Sequence, residues 1–299
     1  FVGSNNINLF QPNGQFGTRL RGGKDSASER YIYTLLSPVT RKLFPQPDDN
    51  ILTYLNDDGQ YVEPVYYAPI IPMILVNGGK GIGTGYSTDI PNYNPVEIIR
   101  VLKMLMNGES VDDQNLVPFY RGFKGRIQEK AKGGYITKGS YKFTSISQME
   151  VTELPIGVWT DNYKEYLESI LIDTYKSTSK KKKSKAEKRR DKAVTVTSKQ
   201  FLKSFENYST ETDIRFVLKM KPTILNQLKT KTHKDTNMSY LEKKLGLTSM
   251  KNITNMHLYN ERDQICKFTN VVDIIKYFYK LRLDLYVKRK NYMEATLQK

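Results

Sequence analysis

An arginine directly precedes a tyrosine in the segment SASERYIYTLLS, at Arg30 and Tyr31, and this pair has the chemistry to break a phosphodiester. A tyrosine hydroxyl can attack phosphorus and then hold one end of the broken strand covalently. A neighbouring guanidinium can pair with phosphate oxygens and stabilise the charge that builds up during the attack. Arg-Tyr is a common dipeptide, so residue types alone favour the alternative in which Tyr31 packs in a core and Arg30 faces solvent.

A glycine-rich, basic stretch, PNGQFGTRLRGGKD, leads into this pair. Glycines let backbone N–H groups approach a phosphate, and cationic side chains can reach the same group. Three cations of the stretch are therefore candidate phosphate contacts: Arg19, Arg21 and Lys24. Ser28 is an N-cap candidate, and the apolar spacing that follows predicts a helix over about 28–43, with Pro38 marking a kink or a break. The electropositive N-terminus of this helix would lie beside Tyr31.

A second group of glycines follows the apolar run IIPMILV at 70–76, which predicts a buried strand because the run is too short for a helix. The glycines at 78–85 predict an open loop that matches neither a P-loop nor the G-x-G-x-x-G pattern. Ile82 stands between two of these glycines. It could be a plug that packs into the core, which the sequence alone favours, or a wedge that enters between base pairs of DNA.

The 299 residues are typical of about two domains, and the net charge is +16. Such a charge indicates a polyanionic partner, with nucleic acid as the first candidate and a basic membrane-binding surface as the weaker one. The single cysteine, Cys266, favours a reducing compartment, and no apolar run is long enough to span a bilayer. The segment KKKKSKAEKRRDK at 180–192 predicts a solvated, disordered loop, with nuclear import or a phosphate contact as alternatives.

The remaining patterns predict an α+β protein with a small antiparallel sheet. Asn94 as N-cap and Pro95 at the first helical position predict a helix to about Met106. The sequence NDDG predicts a turn between two short strands. Further helices are expected at 162–175, in SYLEKKLGL and from Val271 to Lys299, and further strands in TDIRFVLKM and NMHLYN.

Long stretches of this sequence resemble the breakage-reunion region of the eukaryotic-type DNA topoisomerase II family. The resemblance begins with FVGSNNINLFQPNGQFGTRLRGGKDSASERYIYTLLS and continues through DDGQYVEPVYYAPIIPMILVNGGKGIGTGYSTDIPNYNP, PFYRGFKGRIQ, VTELPIGVWT, LTSMKNITNMHLYN and YFYKLRLDLYVKRKNYM. It covers nearly the whole chain apart from the basic insertion, which is not expected in cellular relatives. Arg21 stands where members of this family usually have His.

This resemblance implies that Tyr31 is the nucleophile, which forms a 5′-phosphotyrosyl link, and that Arg30 stabilises the transition state. It implies that Ile82 intercalates and bends the DNA, which reverses the preference for a plug. It further implies a set of DNA contacts: Arg19, Arg21, Lys24, Lys80, Trp159, Lys244, Thr248, Ser249 and Lys251.

The resemblance also implies three domains: the C-terminal part of a winged-helix domain at 1–71, a tower at 72–268 with the basic insertion at about 177–195, and the start of a coiled-coil arm at 269–299. The ATPase module and the metal-binding acidic module (TOPRIM) are expected outside this chain. Mg²⁺ and ATP would therefore bind elsewhere in the parent enzyme, no metal site is assigned here, and the chain alone is expected to be inactive.

The partners implied by the resemblance are double-stranded DNA and a second copy of the chain in a homodimer, without a membrane. The implied location is the nucleus, or the host cytoplasm for a viral enzyme. Two alternatives stay open. A non-catalytic DNA-bending module would form no covalent protein–DNA adduct, and a scaffold whose charge serves solubility and nuclear import would bind DNA with little dependence on salt.

Overall fold

The structure, a computed structural model, describes residues 2–130, 133–179, 201–230, 232 and 238–298, with the backbone alone over 172–179. The predicted basic insertion at 180–192 lies outside the described residues. The described part mixes helices with small antiparallel sheets, which confirms the predicted α+β class. No described helix has an apolar stretch of the length that crossing a membrane requires.

The helices of the described residues range from one turn to more than seven turns. The α-helices are α1 (Thr40–Leu43), α2 (Met73–Asn77), α3 (Pro95–Met106), α4 (Thr160–Ser179), α5 (Pro222–Thr230), α6 (Tyr240–Lys244) and α7 (Val271–Leu297). Two short segments, Glu29–Tyr31 and Gln46–Ile51, are 3-10 helices.

The strands are all short and pair antiparallel. They are β1 (Tyr54–Asp57), β2 (Gln60–Pro64), β3 (Gly79–Ile82), β4 (Ser87–Ile90), β5 (Arg126–Glu129), β6 (Tyr135–Lys138), β7 (Ser140–Phe143), β8 (Gln148–Glu153), β9 (Leu202–Asn207), β10 (Phe216–Met220), β11 (Thr248–Lys251), β12 (Met256–Tyr259) and β13 (Ile265–Phe268). Three hairpins form two-stranded sheets: β1–β2, β3–β4 and β12–β13. The larger sheets have the orders β7-β8-β10-β9 and β11-β6-β5.

Two apolar cores hold these elements together. The first is formed by α2, α3 and the first turns of α7, and it contains the fully buried Leu75, Ile98 and Ile275 together with Leu43 of α1. The second lies between the sheet β7-β8-β10-β9 and α4, α5 and α6. The first core draws residues from all three predicted domain ranges, so the boundaries at 71 and 268 stay predictions.

A buried ionic cluster fixes α7 to the 3-10 helix Gln46–Ile51. The carboxylate of Asp48 is buried and accepts from the guanidinium groups of Arg282, at 2.5 Å, and Arg289, at 3.1 Å. Arg282 is also buried and donates to the carbonyl of Ala68 at 3.3 Å. Because a buried charge without a partner is very unfavourable, this cluster constrains how α7 leaves the first core.

Several sequence predictions are confirmed. The side chain of Asn94 accepts a hydrogen bond from the Val96 N–H at 2.9 Å, and α3 runs from Pro95 to Met106 as predicted. The NDDG turn joins β1 to β2, with Asp58 and Gly59 at φ values of 47° and 87°. Elements also occur at the other predicted positions, as α4, α6, α7, β10 and β12.

The predicted helix over 28–43 is wrong. Only Glu29–Tyr31 and Thr40–Leu43 are helical, and the residues between them include a β-bridge at Leu36 and a turn at 38–39. The backbone of these residues pairs with a distant part of the chain, because the Gln11 N–H donates to Leu35 at 2.9 Å and the Ser37 N–H donates to Leu9 at 2.8 Å. These tertiary hydrogen bonds outweigh the local helical spacing.

Two predictions around the second glycine group are also wrong. The run 70–76 is not a strand, because Pro72 caps α2, which buries Leu75 and Val76. The glycine segment 78–85 is not an open loop throughout, since Gly79–Ile82 forms β3 and pairs with β4. A short apolar run cannot distinguish a strand from a buried helical turn, and glycines seldom indicate a strand.

Candidate nucleic-acid interface

Arg30 and Tyr31 lie at the surface, on the 3-10 helix Glu29–Tyr31. The Tyr31 N–H donates to the carbonyl of Ser28 at 2.9 Å, which fixes this turn. The Tyr31 side chain is 66% exposed, and the guanidinium carbon of Arg30 lies 4.9 Å from the centroid of its ring. The alternative in which Tyr31 packs in a core is therefore wrong. The phenol and the guanidinium are adjacent, and both can be reached by a ligand.

Arg19 anchors the glycine-rich stretch to the sheet of the second core. Its guanidinium forms an ion pair with Glu153 at the end of β8, and the Glu153 side chain is completely buried. The same carboxylate accepts from the backbone N–H groups of Lys124, at 3.1 Å, and Leu154, at 2.8 Å. Because the buried carboxylate holds this guanidinium, Arg19 has a structural partner, and its availability to DNA is limited.

Trp159 and Arg21 form a second anchor of the same stretch. A side chain at Gly22 would meet the indole of Trp159, since an added Cβ would lie 2.0 Å from its nearest atom. Arg21 donates to Asp161 at 3.2 Å, and the Asp161 N–H donates to the carbonyl of Leu20 at 3.0 Å. The indole is half-buried beneath the loop that leads to Tyr31, so it supports this loop whether or not it contacts DNA.

Lys24 is exposed on the same loop, beside an internal hydrogen-bonded turn. Asp25 accepts from the backbone N–H of Thr18 at 3.0 Å and from its hydroxyl. These hydrogen bonds, the hydroxyl first, lower the pKa of the Asp25 carboxyl below its ordinary value. The turn therefore carries a negative charge near Lys24 throughout the physiological pH range.

Ile82 is at the tip of the β3–β4 hairpin and is 90% exposed. In the register of the hairpin it lies opposite Ser87, and the turn closes with the Gly83 N–H donating to Tyr86 at 2.8 Å. The interpretation of Ile82 as a plug into the core is wrong, because so exposed a side chain has no core around it. A large apolar side chain held in solvent on a narrow hairpin is the shape that a wedge requires.

A cleft of about 620 Å³ lies between the two cores and brings four candidate residues together: Arg19, Lys80, Trp159 and Lys251. Arg121 and Tyr120 also line it, although no sequence motif assigns a role to either residue. Burial, with a smaller effect from Asp89, raises the pKa of Tyr120 to about 12, so its hydroxyl stays neutral. The lining is cationic, and it could accept part of a nucleic-acid backbone.

Lys244, Thr248 and Ser249 lie outside the lining of this cleft, as do Tyr31, Arg30 and Ile82. Lys244 is exposed at the end of α6. Thr248 and Ser249 are half-buried on β11, the edge strand of its sheet. Their backbone pairs with β6, in the register Thr248 with Lys138 and Ser249 with Thr137.

The described residues contain no group of three His, Cys, Asp or Glu side chains that could hold a metal ion. Glu153 contacts Arg19 and His257 contacts Ser87 of the β3–β4 hairpin, and neither residue was identified from the sequence. No local motif marks these two residues, because their partners are distant in sequence.

Known proteins resemble this chain in sequence and in fold. The family model for the DNA gyrase/topoisomerase IV A-subunit matches residues 1–299. The chain is 44% identical to the DNA topoisomerase 2 of Pisum sativum over 304 residues, which cover 100% of this chain and 18% of that protein. It is 42% identical to the DNA topoisomerase 2 of Plasmodium falciparum (isolate K1 / Thailand) over 299 residues, which cover 100% of this chain and 19% of that protein.

A solved structure is also similar, namely the crystal structure of the Plasmodium falciparum topoisomerase II DNA-binding, cleavage and re-ligation domain. Its TM-score is 0.84 at 41% identity, and the match covers 100% of this chain and 36% of that chain. The chain spans less than a fifth of the length of the two curated relatives.

Proposed function

Because this chain belongs to the DNA gyrase/topoisomerase IV A-subunit family, we propose that it is the DNA-cleaving part of an ATP-dependent type II DNA topoisomerase. The observation that carries the proposal is the exposed Tyr31 ring with the Arg30 guanidinium carbon 4.9 Å from its centroid. This arrangement puts a nucleophile and a cation at one surface point, next to a loop anchored by Arg19 and Trp159.

The proposed reaction is a reversible transesterification. The Tyr31 oxygen attacks the phosphorus of a backbone phosphate, a bond forms between them, and the bond from phosphorus to the 3′ oxygen breaks. The phenol loses its proton to the surroundings, and the leaving 3′ oxygen takes one up. The 5′ end then stays on Tyr31 until the 3′ hydroxyl attacks the phosphotyrosyl bond and reseals the strand.

Arg30 is the proposed transition-state stabiliser. Its planar guanidinium can donate two parallel hydrogen bonds to phosphate oxygens, whereas a lysine ammonium offers only a point charge. The contact with the Tyr31 ring orders the guanidinium before DNA arrives. We expect the Arg30→Lys variant to keep DNA binding and to lose about a hundredfold in cleavage rate, as is typical when a stabilising donor is removed.

Ile82 is the proposed wedge. Insertion between two base pairs costs roughly a few kcal/mol of unstacking, which contacts along the bent duplex offset. The other DNA contacts proposed from the family resemblance are Arg19, Arg21, Lys24, Lys80, Trp159, Lys244, Thr248, Ser249 and Lys251. Of these, Arg21, Lys24, Lys80 and Lys244 have exposed side chains, and Lys80 shares the cationic cleft with the half-buried Lys251. Their positive charges support a long contact with the phosphate backbone.

The proposal includes partners beyond this chain. A second copy in a homodimer would place two Tyr31 residues on opposite strands, so that a second duplex can pass through the break. As the family resemblance implies, Mg²⁺ would bind to the acidic TOPRIM module and ATP to the ATPase module, both outside this chain. The proposed location is the nucleus, or the host cytoplasm if the parent enzyme is viral.

The experiment that tests this proposal compares Tyr31→Phe with Tyr33→Phe in the complete protein. Tyr33 is two residues away and 90% exposed, so it is a matched control that loses the same hydroxyl. Covalent protein–DNA adducts are trapped with denaturant, and DNA binding is measured separately. We expect Tyr31→Phe to abolish the adduct and to leave binding nearly intact, while Tyr33→Phe changes neither.

Two results would contradict the proposal. If the Tyr31→Phe protein still forms the adduct, another nucleophile cleaves the DNA. If the unaltered protein bends DNA but forms no adduct with Mg²⁺ and ATP present, the chain is the non-catalytic bending module instead.

A further inference from the structure

The β3–β4 hairpin that carries Ile82 has little intrinsic stability. Its sequence GKGIGTGYS contains four glycines, which lose the most backbone entropy on folding and have no side chain for cross-strand packing. An isolated two-stranded hairpin is marginally stable at best in water. Side chains at Gly81 or Gly83 would make only ordinary van der Waals contacts, so no core packs against the tip. Contacts from outside the hairpin must therefore set the direction of Ile82.

Two residues just before and within β12 supply such contacts. The carbonyl of Asn255 accepts from the Asp89 N–H at 2.9 Å, and its side-chain amide donates to the Ser87 hydroxyl at 2.7 Å. Nδ1 of His257 lies 3.0 Å from the carbonyl of Ser87. The imidazole ring also packs against the Tyr86 ring, with 5.7 Å between their centroids.

These contacts determine which ring nitrogen of His257 carries a proton. Nδ1 of His257 also lies 3.0 Å from the side-chain oxygen of Asn255. Both neighbours of Nδ1 are oxygens that accept, so Nδ1 carries the proton and is the donor to both. Nδ1 of His257 and both polar side-chain atoms of Asn255 then have complementary partners, and the cluster fixes the side chain of Asn255 as well as the backbone of Ser87.

The cluster of Asn255 and His257 contacts the hairpin directly across from Ile82. Ser87 is the residue directly opposite Ile82, and Tyr86 ends the turn that follows it. The cluster therefore holds the strand across from Ile82, at the end of the hairpin, and leaves the apolar side chain free.

We propose that Asn255 and His257 are positioning residues that clamp the β3–β4 hairpin, so that Ile82 is held in the direction from which it enters DNA. This proposal rests on the proposed function of Ile82 as a wedge. Neither residue needs to touch DNA. Both act through Ser87 and Tyr86, and their removal should leave Ile82 present but poorly oriented.

The test uses the complete protein and measures two quantities, DNA bending and covalent adduct. Bending is followed by energy transfer between fluorophores at the two ends of a short duplex. The variants are His257→Leu, which removes the donor, and His257→Asn, whose amide nitrogen can take the place of Nδ1. Asn260→Ala is the matched control, because Asn260 shapes the β12–β13 turn through hydrogen bonds to Arg262 and Gln264 and does not contact the hairpin.

We expect His257→Leu to lower the bent fraction and the adduct yield about fivefold to tenfold, in line with one or two lost hydrogen bonds. We expect His257→Asn to recover most of this loss, and Asn260→Ala to lower only the thermal stability. In a protein that already carries Ile82→Ala, His257→Leu should cause no further loss of bending, since both changes remove the same wedge.

Different failures are distinguishable. If Ile82→Ala leaves bending unchanged, the wedge itself is refuted, and the clamp fails with it. If Ile82→Ala reduces bending but His257→Leu does not, the clamp is refuted and the wedge stands. If His257→Leu reduces bending equally with Ile82 present or absent, or if Asn260→Ala reduces it as much, the cluster is only a general support of the fold, and the proposal is overturned.

Discussion

Replacing Arg19 by Met should release the glycine-rich loop from the sheet of the second core. Methionine retains the length and most of the apolar contact area of the arginine side chain, but it cannot neutralise Glu153. The Glu153 side chain is completely buried, whereas that of Arg19 is 22% exposed. The substitution therefore leaves a carboxylate without its cation at a site that water reaches only in part.

Breaking a buried ion pair by removing one partner costs about 3–5 kcal/mol. Two features of the site favour the lower end of that range. Glu153 retains the backbone N–H donors of Lys124 and Leu154, and some solvent reaches the position of the Arg19 side chain. We expect a loss of about 3 kcal/mol, which is roughly a hundredfold rise in the opening of the loop.

The assay uses Trp159, which is the single tryptophan of the chain and lies against Gly22 of the same loop. Urea unfolding followed by its fluorescence should show a midpoint about 1 M lower for Arg19→Met. Acrylamide should quench the fluorescence of the variant more strongly before global unfolding. Arg41→Met is the control, because the Arg41–Asp49 pair is exposed on both sides and should contribute less than about 1 kcal/mol.

Adding Glu153→Gln to the Arg19→Met protein provides the decisive comparison. A neutral amide removes the buried charge, so the double variant should regain at least half of the lost stability. If Arg19→Met and Arg41→Met shift the midpoint equally, or if Glu153→Gln gives no recovery, the buried ion pair does not anchor the loop.

Three further predictions concern the contact of Gly22 with Trp159, the ion pairs of Asp48 and the hydrogen bonds of Asp25. Gly22→Ala should destabilise the chain by more than about 1 kcal/mol and alter Trp159 fluorescence, because the φ of Gly22 is +63° and the added carbon would overlap the indole. Gly14→Ala is the control: the φ of Gly14 is +95° but the space around it is open, so this substitution should cost only the backbone strain. Asp48→Asn should lower the urea midpoint by an amount equivalent to about 3 kcal/mol, because it leaves two guanidinium groups without their counter-charge. The pKa of the Asp25 carboxyl is lowered in the folded chain, so its stabilising effect is present above the unfolded pKa near 3.8 and is lost as pH falls through the lower folded value. Trp159 fluorescence should report the resulting loosening of the loop in acid, and Asp25→Asn should remove this acid-dependent change.

Elements whose signals are local could be predicted from the sequence. The start of α3 depends on Asn94 and Pro95, which act within one turn, and the β1–β2 turn depends on Asp58 and Gly59. The length of α7 was predictable from an apolar pattern without glycine or proline, although its ionic attachment through Arg282 was not.

Elements set by distant partners could not be predicted in this way. The chain after Tyr31 has helical spacing, yet its backbone pairs with residues about 25 positions earlier. The partner of Arg19 is 134 residues away, and that of Asn255 is 168 residues away. The position of Tyr31 was identified from a family resemblance, and its exposure and its contact with Arg30 are visible only in the folded chain.

The attachment of α7 has a mechanical consequence. At 1.5 Å per residue, about 22 Å of uninterrupted helix separates Arg282 from Leu297. Asp48 holds the helix at Arg282 and again at Arg289, so about 12 Å of helix extends beyond the second ion pair, and a tilt of about 5° at that point moves the far end by about 1 Å. A displacement of that end is transmitted to the segment around Asp48 and Ala68. The position of the far end of α7 and the packing of the first core are therefore geometrically coupled.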